Sequence, residues 1–193
     1  MDQRILIAAA IVVGVIAIAA VVIVAYRKHR SQYLKDQFGP EYDHAVLERG
    51  GAAKAEMELI NREKRVHSFT IKALTAAERG RFAEEWSLIQ NRFVDDPVVA
   101  VSEADSLVNR VMTARGYPMA DFEQRAADVS VSYPAVVHNY RAAGVIVQRH
   151  GRGEAGTEDL RQAMVHYRSL FNELLGVPTS VDATRGVLHE RAS

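Results

Sequence analysis

The stretch from Ile5 to Ala25 constrains this chain more than any other feature, because its 21 residues are only Ile, Leu, Val, Ala and one Gly. A bilayer's hydrocarbon core is roughly 30 Å thick, and a helix rising 1.5 Å per residue needs about 20 apolar residues to cross it. The run therefore predicts a single transmembrane helix. A cleaved signal peptide fits less well. Such segments pair a basic start with an apolar stretch of about 7–15 residues and a small-residue cleavage site. Here Asp2 offsets Arg4, and Ala25 leads directly into Tyr26-Arg27-Lys28-His29-Arg30.

Lys and Arg flanking a span are retained on the cytoplasmic side. Arg27, Lys28 and Arg30 outweigh Arg4, so the remainder of the chain is expected in the cytoplasm, at the inner face of a cell membrane. The expected lipid partner is the bilayer around Ile5 to Ala25. The basic flank with Lys35 can also attract anionic head groups, although a topology signal alone accounts for it. Ala10 and Gly14 form a small-xxx-small pair of the kind that lets two spans approach, a pattern that arises easily in so Ala-rich a segment.

Outside the anchor the chemistry is ordinary. Positions 31 to 193 hold 20 basic and 23 acidic residues, a net of −3, which gives no basic domain to grip nucleic acid. The chain has no cysteine, which excludes disulfides, thiolate metal sites and a cysteine nucleophile. Hydrophobic residues make up 48% of the sequence, enough to build a core.

The soluble part reads as all-α. Gly39-Pro40 starts a short helix that Gly50-Gly51 closes, and a charged helix follows from Ala52 to about His67, as a stalk or as an outer helix across a bundle. Phe69 and Ile71 alternate with Thr70 and Lys72, which permits a brief extended strap. Thr75 and Glu78 have capping-box spacing at the head of a helix reaching about Val94, where Phe82, Trp86, Ile89 and Phe93 share a face. Asp96-Pro97 opens a helix to about Arg115 that buries Val101, Ala104, Val108 and Val111. A shorter helix runs from about Asp121 to Val129. The next carries Val137, Tyr140, Gly144 and Val147, and the last is capped by Thr157 and carries Leu160, Met164, Tyr167, Phe171 and Leu174. The expected organisation is an anchor with basic flank (1–30), a charged helical stalk or linker (31–74), a helical bundle (75–176) and a disordered tail (177–193).

No catalytic, cofactor or metal site is assigned from the sequence. Glu41-Tyr42-Asp43-His44 has the Glu-x-x-His spacing of di-iron bundles, but those use it twice with two further glutamates. Glu84-Glu85, Asp95-Asp96 and Glu158-Asp159 are explained by solvent exposure or by helix starts. Gly151 to Gly156 lacks the strand and the Lys-Ser/Thr ending of a phosphate loop.

The segments Arg81 to Trp86, Asn91 to Pro97, Gly116-Tyr117-Pro118 with Asp121 to Asp128, and Asn139 to Ala143 resemble those of uncharacterised bacterial membrane-anchored or secreted proteins, over about positions 75 to 175. The resemblance implies a bacterial helical domain and carries over no activity or functional residue. Asp121-Phe122-Glu123-Gln124-Arg125, dense in polar groups for a short helix, stands as a candidate binding surface against the plainer reading of a solvated helix. The functional expectation is a non-enzymatic interaction or scaffold module that holds a protein partner, or its own oligomer, at the cytoplasmic membrane. The alternatives are an envelope-side protein of opposite orientation and an enzyme whose site one sequence does not disclose.

Overall fold

The computed structural model describes residues 3–176, with side chains from Ile11 onward. The protein is all-α, with eight helices and no strand among the described residues. The expected tail at 177–193 and the side chains of the span's first residues, Ala10 included, lie outside what is described.

Helix α1 (Gln3–Phe38) is one unbroken rod of 36 residues, about 54 Å long. Gly39, at φ 49, turns the chain out of it, and Pro40 occupies the first turn of α2 (Pro40–Arg49). The left-handed Gly50 ends α2, and α3 (Ala52–His67) returns along it.

The remaining helices begin where local chemistry supplies a cap. For α4 (Ala76–Arg92), Thr75 Oγ1 accepts from the Glu78 N–H at 3.2 Å, and Glu78 Oε2 accepts from the Thr75 N–H at 2.8 Å, completing the expected capping box. For α5 (Pro97–Ala114) Asp96 accepts from the Val99 N–H, and for α6 (Phe122–Ser132) Asp121 accepts from the Gln124 N–H. Pro134 opens α7 (Pro134–Gly151). The last helix, α8 (Thr157–Leu175), departs from the sequence reading: Thr157 is its first residue, and Gly156 holds the cap position with its N–H donated to Asp159 Oδ2 at 2.9 Å. An acidic third residue can reach back to the exposed N–H without any hydroxyl at the cap.

The core has two parts. The larger joins α4, α5, α7 and α8 with part of α6, around Phe82, Trp86, Val108, Tyr140, Tyr167 and Phe171. The smaller is built from the end of α1 (Leu34, Phe38), α2 (Tyr42, Ala45), α3 (Ala55, Leu59, Val66) and Val131 of α6. The segment from 31 to 74, expected as a charged helical stalk or linker, thus has a core of its own, and α3, read as a stalk or an outer helix, packs on α6 while α2 packs on α7. That is the outer-helix arrangement. The charge of α3 hid it: the buried residues Ala55, Leu59, Arg62 and Val66 recur at spacings of four, three and four, but one member of that stripe is an arginine.

The strap after α3 is extended but joins no sheet. Lys72 N–H donates to the Arg115 carbonyl at 2.9 Å, and Phe69 and Ile71 pack on the core. It crosses Gly116 so closely that a Cβ there would lie 2.2 Å from the Thr70 carbonyl oxygen. Along α7 the buried stripe is Val136, Val137, Tyr140, Ala143 and Gly144, whereas Val147 is exposed, beside a cavity of about 270 Å³ between α5 and the end of α7.

Candidate anchor and interaction surfaces

Within α1, the stretch beginning at Ile11 is long and apolar enough to cross a membrane, and none of its most apolar window is buried in the protein. Its apolar side chains stand in the open all round, from Ile11 (61%) to Val24 (65%). The rod then changes character without bending out of helix. Leu34 and Phe38 are fully buried in the smaller core, while Ser31 Oγ sits 3.4 Å from the Tyr42 hydroxyl and Tyr33 donates to Glu63. Arg27, Ser31, Leu34 and Phe38 follow one another at spacings of four, three and four, so they line the same side of the helix. Between Ala25 and Leu34 the helix rises roughly 14 Å.

The seam between the two cores is ionic. Glu41 of α2, 3% exposed, accepts from Arg62 of α3 at 2.7 Å and from Arg141 of α7 at 3.0 Å. Arg62 is itself 2% exposed and also meets Glu58 at 3.1 Å, and Arg141 reaches Glu123 of α6 at 2.6 Å. Burial works against the Arg141 charge, but Glu41 and Glu123 together outweigh it and raise its pKa above the ordinary arginine value. A second bridge joins Arg65 of α3 to the buried Asp128 of α6 at 2.7 Å. Glu41 is therefore spent on two guanidiniums. His44, its partner in the Glu-x-x-His spacing, is exposed and lies 3.9 Å from Glu48. Among the described residues no group of three or more His, Asp or Glu side chains is placed to hold a metal ion.

The polar segment from Asp121 to Arg125, expected as a candidate surface, is largely used in contacts within the domain. Asp121 caps α6, and Gln124 donates to Asp128 at 2.8 Å. Arg125 donates to the Tyr140 hydroxyl at 3.1 Å and to the Ala120 carbonyl at 2.6 Å. The Phe122 ring lies 4.6 Å from that of Tyr140, over Gly144, where a Cβ would come within 2.4 Å of the ring. Sequence reasoning missed the seam because its partners are up to 100 residues apart.

Grooves flank α4 on both sides. The larger, about 730 Å³ between α4 and α5, is lined by Phe82, Glu85, Asn109, Arg110, Thr113 and Met119. Much of its polar lining is internally satisfied: Arg110 pairs with Glu85, and Thr113 donates to the Asn109 carbonyl at 2.9 Å. The smaller, about 190 Å³, lies between α4 and α8 beside Trp86. Trp86 is 6% exposed and stacks on Phe171, with ring centroids 4.8 Å apart and planes 19° apart. Tyr167, also expected opposite Trp86, packs its ring on Tyr140 at 6.1 Å.

In comparisons with known proteins, no family model, no curated protein and no solved structure matches this chain.

Proposed function

We propose that this chain is a single-pass protein of a bacterial cell membrane whose helical domain serves as a non-enzymatic interaction or scaffold module on the cytoplasmic side. The observation that carries the reading is the continuity of α1. An unburied apolar rod runs without a break into residues locked in the domain's core. A flexible tether would let the domain tumble, whereas this rod holds it at one height and one orientation beneath the head groups. At about 14 Å below the span's end, Leu34 lies about 6–9 Å past the roughly 5–8 Å of head groups on each side of the hydrocarbon. Arg27, Lys28 and His29 have no hydrogen-bond or ion-pair partner among the described residues, which suits a flank facing lipid phosphates and a cytoplasmic orientation. Against an enzymatic role stands the commitment of the most buried ionisable groups to one another.

Two C-terminal reporter fusions test the orientation, one active only in the cytoplasm and one only outside it. Activity of the first alone supports the proposal, and activity of the second alone replaces it with the envelope-side protein. For the scaffold role, the full chain is captured from gently solubilised membranes beside a variant with Gly-Gly-Ser inserted between Arg30 and Ser31. The same partner recovered reciprocally with the parent, and reduced with the insertion, supports a rigidly held module. No reproducible partner and no self-association would count against it.

A further inference from the structure

The groove between α4 and α5 carries an inference independent of the membrane reading. At one end its apolar lining is Phe82, Ala114 and Met119, and the Met119 side chain stands 82% exposed. At the other end it shares Glu85, Ser106 and Arg110 with a hollow of about 240 Å³ that reaches Leu88, itself 68% exposed. From Ala114 to Glu103 the groove follows α5 for roughly 16 Å at 1.5 Å per residue. The last helix ends beside its apolar end. Arg115, the residue after Ala114, donates to the Leu174 carbonyl at 2.7 Å, and Gly176, at φ 72, closes α8 there. A left-handed cap turns the chain off the helix axis. Seventeen further residues, 177–193, follow Gly176 outside the described residues, with Val181, Val187 and Leu188 among them.

We propose that residues 177–193 dock in this groove, with Val181, Val187 and Leu188 covering Phe82, Ala114, Met119 and Leu88. Reach is sufficient: extended chain covers roughly 3.3 Å per residue, so Val181 can lie up to about 17 Å from Gly176 and Leu188 up to about 40 Å. Size agrees as well, since about 730 Å³ falls within the roughly 300–1,000 Å³ of sites that enclose drug-sized bodies, enough for several side chains. Tethering decides between occupants. A short connection holds its segment at an effective concentration in the mM range, well above that of a second copy arriving from solution.

Photo-crosslinking of the full chain in lipid nanodiscs tests this, with Met119→p-benzoylphenylalanine as the probe. Met119 is exposed and touches Thr113 through a 3.4 Å contact at the rim, so helix content and melting temperature should stay at their parent values. After irradiation and digestion, most of the crosslinked product should join position 119 to peptides from 177–193 of the same chain, in a yield that does not change on dilution. Val187→Asp combined with Leu188→Asp, in the probe background, should lower that yield roughly fivefold or more, because two apolar contacts are replaced by charge. Mere nearness of a tethered segment would leave the yield unmoved. The proposal is overturned by crosslinks mainly to a second copy, by crosslinks confined to lipid or to residues 3–176, by no crosslink at all, or by an unchanged yield in the double Asp variant.

Discussion

Glu41 and Arg62 meet at 2.7 Å with both side chains almost wholly buried, and through Arg141 the same carboxylate ties the anchor-side helices to the bundle. Removing one member of a buried pair leaves the other charged and unpaired, at a cost of about 3–5 kcal/mol. Glu41→Ala removes the carboxylate the two guanidiniums share, leaving Arg62 with Glu58 and Arg141 with Glu123. It is expected to lower stability toward the lower end of that range, and Arg62→Met in the same background should recover part of the loss. Chemical denaturation of both variants checks this. A loss under about 1 kcal/mol for Glu41→Ala would show that the seam does not hold the two cores together.

The stack of Trp86 on Phe171 makes the second prediction. Trp86→Ala removes a large buried ring and should cost about 3–5 kcal/mol, out of the 5–15 kcal/mol that typically stabilises a domain. Emission of the unmodified protein should be blue-shifted and poorly quenched by iodide. Red-shifted, readily quenched emission would contradict the burial.

Gly116 supplies a steric test. Its φ is +99, and the nearest obstacle to a Cβ is backbone, the Thr70 carbonyl. Because neither the backbone conformation nor that carbonyl yields cheaply, Gly116→Ala is expected to cost about 1–3 kcal/mol or more, whereas the same change at the solvent-facing Gly80, in mid α4, should be neutral or stabilising. Thermal melts of the two variants decide it, and equal melting temperatures would refute the close crossing of strap and turn.

Alkaline pH should weaken the fold. Burial, then the nearby Asp105 carboxylate, pushes the Tyr140 hydroxyl up to about 12, and burial also raises Tyr117, Tyr133 and Tyr167. An unfolded tyrosine ionises near 10, so the folded state holds these protons more tightly. The stabilisation is complete below about pH 10 and is lost as pH rises from there to about 12, roughly 2–3 kcal/mol for Tyr140 alone. Tyrosinate absorbance and helix content should therefore change together in that window. Tyrosines that all titrate near 10 in a still-folded protein would contradict it.

The sequence disclosed what depends on neighbours in the chain. Thr75 with Glu78, Asp96 before Pro97, and Phe82, Trp86 and Ile89 on one face are all set by spacings of a few residues, and the structure places them as read. What stayed hidden depends on distant partners. Nothing local tells that Arg62 is buried or that Glu41 awaits Arg141, since a charged helix whose stripe includes an arginine reads equally as a stalk. Phe122 lies within a polar segment, although its ring seats against Gly144 of the next helix. The groove beside Trp86 was equally illegible, because its walls come from helices separated by the whole middle of the domain.

The central claim is that α1 anchors the chain in a bilayer, and extraction of membranes with alkaline carbonate tests it most directly. The account predicts that the intact chain, its N-terminal residues verified by mass, stays in the membrane pellet. Intact protein released into the supernatant, or a mature N-terminus mapped between Ala20 and Tyr26, would contradict it.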